Sequence, residues 1–224
     1  MRRPGDYEVI TFDCFGTLID WERGAAKAFV DAARREGVTL DQASVISAYD
    51  SLERVVQADV YRRYRDVLSE SAQRAAAVVG WKLNPESAGF LVDSLPEWPP
   101  FDDTNPALER LAAAGCKLGI LSNTDDDLIA LTCNSLRAPF EILVTAQQVG
   151  SYKPAPGHFL AARKQVGKRR WLHVSQSYFH DVGPALALGI PVAWINRKSK
   201  PLPGQPPLRD FKLLTGLADW LAPG

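Results

Sequence analysis

The sequence predicts an α/β protein in which a doubly wound parallel sheet carries an inserted helical cap. Short apolar runs rich in β-branched and aromatic residues alternate with helical stretches after residue 100, and this alternation is typical of a parallel sheet with right-handed crossovers. A helical block at about residues 20–95 interrupts the alternation directly after the first run. Polar residues follow several of the runs, at the edge where open parallel sheets bind ligands.

The first run, from Tyr7 to Asp13, is predicted to be a buried strand that ends at the turn around Gly16. Helical periodicity begins near Ala25 and returns from Val45 to Val79, where apolar residues recur at steps of three and four. No strand pattern interrupts this block in the sequence. We therefore interpret it as one helical insertion into the sheet domain.

Three prolines within five residues, Pro96 to Pro100, predict a linker rather than a regular element after the insertion. We place the cap domain at residues 20–95 and the core domain at residues 1–19 and 96–224. Further strands are predicted at residues 116–123, 140–146, 171–175 and 191–196. Helices are predicted between them at residues 105–114, 126–136, 157–166 and 182–189. A proline-rich loop then precedes a short last helix.

The composition argues against several classes of protein. Lys plus Arg and Asp plus Glu number 26 each, so the chain lacks the basic excess of a non-specific nucleic-acid binder. No run approaches the roughly 18 apolar residues of a membrane span, and no signal peptide is recognisable. Cys14, Cys116 and Cys133 show no metal-ligand spacing and fit a reducing compartment. We expect a soluble cytoplasmic protein that binds neither nucleic acid nor a membrane.

Four separate segments are expected to bring polar groups to one edge of the sheet. Asp13 ends the first strand, where the amides of a turn would hold a nucleophilic carboxylate ionised. Lys153 would neutralise neighbouring carboxylates and stabilise charge that passes between substrate and nucleophile. Taken singly, Asp13, Ser122-Asn123 and Asp181 are also typical of turn or helix caps, and Lys153 alone is more typical of a solvated loop. Their meeting at one edge favours a catalytic site.

Other reactive side chains are weaker candidates for catalysis. His173 lies on a predicted strand, which favours a residue of the core or of the sheet edge over a general base. His180 lies nearer the edge where the polar groups collect. Cys14 flanks Asp13, but strand alternation points it into the core. A cysteine hydrolase is disfavoured because no histidine is positioned beside Cys14.

The polar segments together resemble the motifs of the haloacid dehalogenase superfamily. These are D-x-x-G-T at Asp13–Thr17, the pair Ser122-Asn123, Lys153, and an acidic motif that ends at Asp181. The helical insertion resembles the cap of the subgroup that contains the 2-haloacid dehalogenases. The string F-D-C-F-G-T-L-I-D-W-E resembles the type II branch of that subgroup. The resemblance covers the whole chain and implies a Rossmann-like core.

Two departures from the phosphatases of this superfamily bear on the reaction. Those enzymes carry a second Asp two residues after the nucleophile, and here that position is Phe15. They also carry a Gly-Asp pair whose Asp holds magnesium, and here the pair is Ser175-Gln176. The chain thus lacks the general acid and most of the metal site of a phosphatase. Dehalogenation needs neither group, because halide leaves as a stable anion, and we expect no metal and no cofactor.

The resemblance implies that Asp13 attacks C2 of a small 2-halocarboxylic acid and that water hydrolyses the resulting ester. Lys153, held by Asp181, would orient and neutralise Asp13. The residues that the resemblance assigns to catalysis are Asp13, Thr17, Ser122, Lys153 and Asp181. Those that it assigns to substrate binding are Cys14, Phe15, Asn123, Gln176, Ser177 and Tyr178.

The match to the dehalogenases is incomplete around the substrate. Their cap arginine is missing from the stretch Ala48 to Glu53, and the nearest arginines are Arg54 and Arg62. An aromatic hydroxyl of the dehalogenases is replaced by Phe159, and an Asn by Tyr178. The sequence therefore leaves the substrate and its stereochemistry open.

Alternative functions remain at this stage. The D-C-F-G-T-L-I-D-W run and the S-Y-F-H-D segment also resemble azetidine-2-carboxylate hydrolase, which implies C–N hydrolysis of a small cyclic amino acid. A phosphatase and a catalytically silent binding protein are less favoured. Retention of Asp13, Lys153 and Asp181 argues against a silent protein, because a buried charge cluster is costly without a function. The oligomeric state is open, with a homodimer as one candidate.

Overall fold

The computed structural model describes residues 7–222. Its strands are β1 (Val9–Phe12), β2 (Lys117–Ser122), β3 (Phe140–Thr145), β4 (Trp171–Ser175), β5 (Val192–Ile195) and β6 (Arg209–Phe211). All neighbouring strands pair in parallel, in the order β3-β2-β1-β4-β5-β6. The predicted fold class, a doubly wound parallel α/β sheet, is confirmed.

The position of β1 in the sheet fixes where a ligand site can form. All four residues of β1 are buried, and the strand pairs with β2 on one side and with β4 on the other. The chain builds the sheet outward from β1 in one direction and then, from β4, in the opposite direction. The crevice at the carboxyl ends of β1 and β4 is therefore the topological switch point, where open α/β sheets bind ligands.

Ten α-helices lie within residues 7–222: α1 (Trp21–Arg35), α2 (Gln42–Gln57), α3 (Tyr64–Val78), α4 (Phe90–Ser94), α5 (Thr104–Ala113), α6 (Asp126–Cys133), α7 (Ala146–Val149), α8 (Gly157–Val166), α9 (Gly183–Ala187) and α10 (Leu214–Leu221). Short 3₁₀ turns occupy Pro85–Ser87 and Leu95–Glu97, and a π-helix occupies Tyr178–Val182. In this part of the chain no helix has the length and apolar character that a membrane span requires.

The chain divides into two compact units. The sheet unit comprises residues up to Ile19 together with Pro100–Asn123 and Leu136 onward, and the helical unit comprises Asp20–Pro99 and Thr124–Ser135. The helical unit differs from the predicted cap at residues 20–95, because α6 belongs to it although α6 follows β2 in sequence.

Capping of α3 explains why residues after β2 belong to the helical unit. The first amides of a helix have no partner within the helix, and Arg63, which precedes α3, provides no side-chain cap. Asp125 supplies it instead: its carboxylate accepts hydrogen bonds from the amides of Tyr64 at 3.0 Å and Arg65 at 3.2 Å. Asp125 is fully buried. No pattern in the sequence indicates this pairing, because its partners are 60 residues apart.

Local structure refines the predicted elements in three places. The helical stretch predicted from Val45 to Val79 comprises two helices, α2 and α3. The short edge strand β6 was not predicted. The proline-rich segment after the insertion is packed rather than a loose linker, because Leu95 begins a 3₁₀ turn and Trp98 is 2% exposed. The Trp98 ring lies against Gly24 of α1, where an added Cβ would come within 2.3 Å of the ring.

Candidate active site

The turn after β1 fixes the Asp13 carboxylate. The Asp13 amide donates to the carbonyl of Val174 at 3.0 Å and so continues the pairing of β1 with β4. The chain then turns at Gly16, whose φ of +91° favours glycine. This turn brings Thr17 back to Asp13, and the Thr17 hydroxyl donates to Oδ2 of Asp13 at 2.8 Å. One oxygen of the predicted nucleophile is thereby oriented by its own loop.

Lys153 connects the two acidic residues of the site. Its Nζ donates to Oδ1 of Asp13 at 2.8 Å, to Oδ1 of Asp181 at 2.6 Å and to the Leu121 carbonyl at 2.8 Å. These three bonds use all three hydrogens of the ammonium. The lysine is 2% exposed, so it acts as a fixed charge.

Asn123 holds the backbone of Lys153 in place. The Lys153 amide donates to Oδ1 of Asn123 at 2.7 Å, and Nδ2 of Asn123 donates to the Lys153 carbonyl at 3.1 Å. These bonds position the lysine, and the predicted role of Asn123 in substrate binding stays a prediction. The two hydrogen bonds thereby join the segment that follows β2 to the segment that precedes α8.

Asp181 lies in the π-helix that follows β4. Ser177 caps this π-helix, since its hydroxyl oxygen accepts a hydrogen bond from the His180 amide at 3.1 Å. Asp181 is fully buried, and its Oδ1 receives hydrogen bonds from Lys153 and from Nε2 of His173 at 3.0 Å. Its Oδ2 has no hydrogen-bond partner in the described part of the chain. Single π-turns are often found at functional sites.

The surroundings of the two carboxylates shift their pKa values in opposite directions. Burial raises the pKa of Asp13, Asp181 adds to this effect, and Lys153 only partly offsets it. Burial also opposes ionisation of Asp181, but Lys153 and the His173 hydrogen bond outweigh it and lower the pKa of Asp181. For Lys153, burial alone would lower the pKa, but the two carboxylates together raise it. The site thus holds a stable Lys153–Asp181 ion pair beside a desolvated and less stable Asp13 carboxylate.

A second histidine lies near this cluster without joining it. Nε2 of His158 lies 3.0 Å from the Ser122 carbonyl, and a carbonyl can only accept a hydrogen bond. Burial lowers the pKa of His158 to about 4, with a further contribution from Lys153. His158 is therefore neutral near pH 7. The Ser122 hydroxyl is buried and has no hydrogen-bond partner within residues 7–222.

The remaining residues predicted to bind substrate divide into two groups. Gln176 is close to the cluster, because its amide donates to the Thr17 hydroxyl at 2.9 Å. Cys14 is buried, and Phe15 forms an isolated bridge with Ile19. The structure does not bring Tyr178 into the charge network: its hydroxyl donates to the Gln205 carbonyl at 2.7 Å.

Sequence reasoning missed the contact between His173 and Asp181. It placed His173 in the core or at the sheet edge, and the residue is indeed fully buried on β4. All five residues of β4 are buried, so a histidine there must find polar partners. The sequence therefore indicates that His173 needs a buried polar partner. It does not identify Asp181 as that partner.

Sequence reasoning also missed Arg197, which anchors the loop of the nucleophile. Nη2 of Arg197 donates to the Thr17 carbonyl at 2.9 Å, and Nη1 lies 3.0 Å from Asp103. The guanidinium also stacks 3.8 Å above the centre of the Phe101 ring. The Arg197 and Asp103 side chains are 12% and 10% exposed.

Replacing Arg197 with methionine is expected to lower the free energy of unfolding by about 3 kcal/mol, because it leaves Asp103 buried without its charge partner. Arg137→Met is the control, since the Arg137–Glu109 pair is 70% and 47% exposed, and exposed pairs contribute about 0–1 kcal/mol. Urea denaturation of both variants measures the difference. Equal losses of stability would show that Arg197 does not anchor the loop.

The side chains around Asp13 offer few of the oxygen ligands that magnesium prefers. Magnesium prefers several oxygen ligands, commonly from more than one acidic residue. Both oxygens of Asp13 already face hydrogen-bond donors, from Lys153 and Thr17, and the second acidic position is the neutral Gln176. In the described part of the chain, no three His, Cys, Asp or Glu side chains are grouped so that they could hold a metal ion.

The two arginines nearest the missing cap arginine both form ion pairs within the helical unit. Arg54 on α2 contacts Asp50 at 2.7 Å, one turn earlier on the same helix. Arg62 precedes α3 and contacts Glu70 at 2.5 Å. A role in substrate binding for either arginine stays a prediction.

Comparison with known proteins identifies the family. The sequence model of haloacid dehalogenase-like hydrolases matches residues 7–189. The (S)-2-haloacid dehalogenase of Pseudomonas putida is 30% identical over 197 residues, which cover 85% of each chain. Haloacetate dehalogenase H-2 of Moraxella is 28% identical over 85% of this chain and 86% of its own.

Solved structures agree with the fold. A defluorinating L-2-haloacid dehalogenase matches with a TM-score of 0.84 at 19% identity, over 99% of this chain and 98% of its own. The L-2-haloacid dehalogenase of Xanthobacter autotrophicus with covalently bound chloropropionic acid matches with a TM-score of 0.79 at 18% identity, over 95% and 97%. The chain is therefore a hydrolase that belongs to the haloacid dehalogenase-like family, in its 2-haloacid dehalogenase branch.

Proposed function

We propose that this hydrolase cleaves the carbon–halogen bond of a small 2-halocarboxylic acid through an ester on Asp13, without a metal ion. The observation that carries the proposal is the buried cluster in which Lys153 bonds both Asp13 and Asp181. The pairing places a fixed positive charge beside a carboxylate that burial destabilises. A destabilised carboxylate in a water-poor site is a suitable nucleophile.

In the first step, an oxygen of Asp13 attacks C2 of the substrate. The new C–O bond forms as the C–halogen bond breaks, and the halide leaves with the bonding electron pair. No proton is transferred in this step. The step therefore needs no general acid at position 15, which is Phe15 in this chain. Lys153 keeps Asp13 ionised and aligned, and Thr17 holds its other oxygen.

In the second step, water attacks Cγ of the ester on Asp13. The Cγ–O bond to the product then breaks, which releases a 2-hydroxy acid. The attacking water must lose a proton, and we assign its acceptor as Oδ2 of Asp181, which is buried without a partner in the described residues. That proton returns to the departing product oxygen. The second proton of the water is released to solvent as the Asp13 carboxyl group ionises again.

The chemistry of the donors around Asp13 supports metal independence. The Lys153 ammonium donates a hydrogen bond to one oxygen of the Asp13 carboxylate. Gln176 lies at the position where a metal-binding acid would be needed. For the present chain we expect activity to persist in chelator.

A second candidate reaction is supported by the D-C-F-G-T-L-I-D-W run. Hydrolysis of a strained cyclic amino acid at the carbon that bears nitrogen would use the same nucleophile. A protonated ring amine, like halide, leaves without a general acid. The two candidates therefore differ in substrate and share the Asp13 chemistry.

The test is a product-release screen in chelator. The substrates are both enantiomers of 2-chloropropionate, a 2-fluorocarboxylate, azetidine-2-carboxylate and an aryl phosphate. The Asp13→Asn variant, purified identically, controls for contaminating activity. We expect halide release by the wild-type protein and none by the variant.

Other outcomes of the screen contradict the proposal in defined ways. Azetidine opening without halide release would replace it by C–N hydrolysis. Phosphate release that depends on added magnesium would show that Gln176 does not prevent metal binding. No turnover of any substrate would favour a binding protein.

A further inference from the structure

His173 is a buried titratable group that the reaction as described does not use. It lies on β4 in register with Thr11 of β1, and both side chains are fully buried. Nδ1 of His173 lies 2.9 Å from the Thr11 hydroxyl, and Nε2 lies 3.0 Å from Oδ1 of Asp181. The Phe159 ring and the imidazole pack edge to face at a centroid distance of 5.2 Å. Both ring nitrogens therefore have defined partners.

The partners of the imidazole, Asp181 and Thr11, indicate which ring nitrogen carries the proton. Nε1 of Trp171 lies 2.7 Å from the Thr11 hydroxyl oxygen, and an indole N–H can only donate. The Thr11 hydroxyl accepts that bond, and its own hydrogen is available to donate to Nδ1 of His173. The Asp181 carboxylate can only accept a hydrogen bond, so Nε2 carries the proton, and Nδ1 of a neutral ring is then the acceptor of the Thr11 hydrogen. A doubly protonated ring would leave the buried Thr11 hydrogen without this acceptor.

We propose that His173, held as the neutral Nε2–H tautomer by Thr11 and Trp171, is a positioning residue for Asp181. Its bond and the bond from Lys153 both end on Oδ1 of Asp181. They fix the carboxylate plane and leave Oδ2 as the oxygen that can accept a proton. This inference rests on the proposed function and extends it to a residue that touches neither substrate nor Asp13.

The ionisable groups that face His173 belong to the charge cluster. Asp181 is the direct contact, and Lys153 is shared between Asp181 and Asp13. His158 is the other imidazole near enough to interact with this cluster, and it is neutral. A hydrogen bond to a carboxylate stabilises its charged form. Removing the donor is therefore expected to make Asp181 easier to protonate.

Two substitutions separate positioning from packing. His173→Gln keeps an N–H near the place of Nε2, whereas His173→Met fills similar space without a donor. We expect His173→Met to lower the rate of ester hydrolysis, and with it kcat, by about 10–100-fold, the range typical of residues that orient functional groups. The acid limb of the kcat profile should rise by about one pH unit, because a hydrogen bond that stabilises the Asp181 charge is lost. His173→Gln should recover most of the rate and return the limb toward that of the wild type.

A measurement independent of turnover tests the tautomer. The chain has three histidines, so ¹⁵N spectra of histidine-labelled protein resolve each ring, with His173→Gln and His180→Gln as assignment controls. We expect the Nε2–H form for His173 across the active pH range, and a shifted Nε2 resonance in Asp181→Asn. An Nδ1–H form or an imidazolium would overturn the inference.

The two readouts keep this inference separate from the reaction itself. If no haloacid is turned over but the tautomer is Nε2–H and responds to Asp181→Asn, the proposed reaction fails and the hydrogen-bond assignment stands. If haloacid is turned over and His173→Met matches His173→Gln in rate and pH profile, the positioning role fails while the reaction stands. Should His173→Met not fold, the Gln variant and the wild-type spectrum still decide the matter.

Discussion

Replacing Lys153 with methionine is expected to abolish turnover and to lower the free energy of unfolding by about 3–5 kcal/mol near neutral pH, as breaking a buried ion pair typically does. The methionine removes the ammonium that bonds Asp13, Asp181 and the Leu121 carbonyl. Two buried carboxylates then face the same space without a counter-charge. Since like charges disfavour joint ionisation, one of them takes up a proton.

The pH dependence of this variant distinguishes lost charge from lost packing. In Lys153→Met the folded-state pKa of the carboxylate pair lies above the unfolded-state value. Stability is then retained at low pH and falls as pH rises through the raised pKa. Urea denaturation at pH 5 and pH 8 should show a larger loss, relative to the wild-type protein, at pH 8. A loss that is equal at both pH values would mean that the ammonium does not neutralise the pair.

A matched control is available on the surface of the sheet unit. Lys168 is exposed, so Lys168→Met is expected to change stability by less than about 0.5 kcal/mol and to leave turnover intact. A double variant, Lys153→Met with Asp181→Asn, removes one of the two unpaired charges. It should regain part of the lost stability at pH 8 and none of the activity.

Much of the fold was predictable from the sequence because β1 to β5 are short apolar runs bounded by turns. The edge strand β6 was not, since its three residues carry no buried apolar pattern. The helical unit also includes α6, which lies outside the predicted cap, for a different reason. Asp125 caps α3 across 60 residues of sequence, and such a pairing depends on three-dimensional packing that local periodicity does not encode.

The residues of the candidate site also divide into those that the sequence predicts and those whose roles only the structure shows. Asp13, Thr17, Lys153 and Asp181 could be predicted to lie together because each lies at the carboxyl end of a strand or in a motif of fixed order. The roles of His173 and Arg197 depend on partners that only strand register and loop packing reveal. Thr11 lies beside His173 because β1 and β4 pair with that register. If β1 and β4 paired with a register shifted by one residue, this hydrogen bond would be lost. The sequence pattern of the two strands would be the same in both cases.

Replacing Asp13 with asparagine is expected to reduce turnover by more than about 10³-fold, because binding and electrostatics alone would remain to accelerate the reaction. Folding should survive the change. The side-chain carbonyl oxygen of the asparagine can still accept the bond from Lys153, and the Lys153–Asp181 pair remains intact. Halide release, with 2-hydroxy acid measured in parallel, gives the loss of rate.

Isotope labelling tests the ester directly. In a single turnover with excess wild-type protein in H₂¹⁸O, the oxygen that enters the product comes from Asp13, and the solvent oxygen enters the Asp13 carboxylate. We expect unlabelled 2-hydroxy acid and a peptide containing Asp13 that is heavier by one ¹⁸O. Direct attack of water on C2 would instead label the product and leave the peptide unlabelled.

Asp13→Asn and Lys153→Met are expected to differ in stability although both abolish turnover. Burial raises the pKa of Asp13, so its ionisation opposes folding increasingly as pH rises above the unfolded-state pKa. Asparagine removes that cost, and the melting temperature at pH 8 should equal or exceed that of the wild-type protein. A protein that holds a nucleophile ready at the expense of stability shows this trade-off. If Asp13→Asn instead melts as early as Lys153→Met, Asp13 is a structural partner of the lysine, and the assignment of a destabilised nucleophile is wrong.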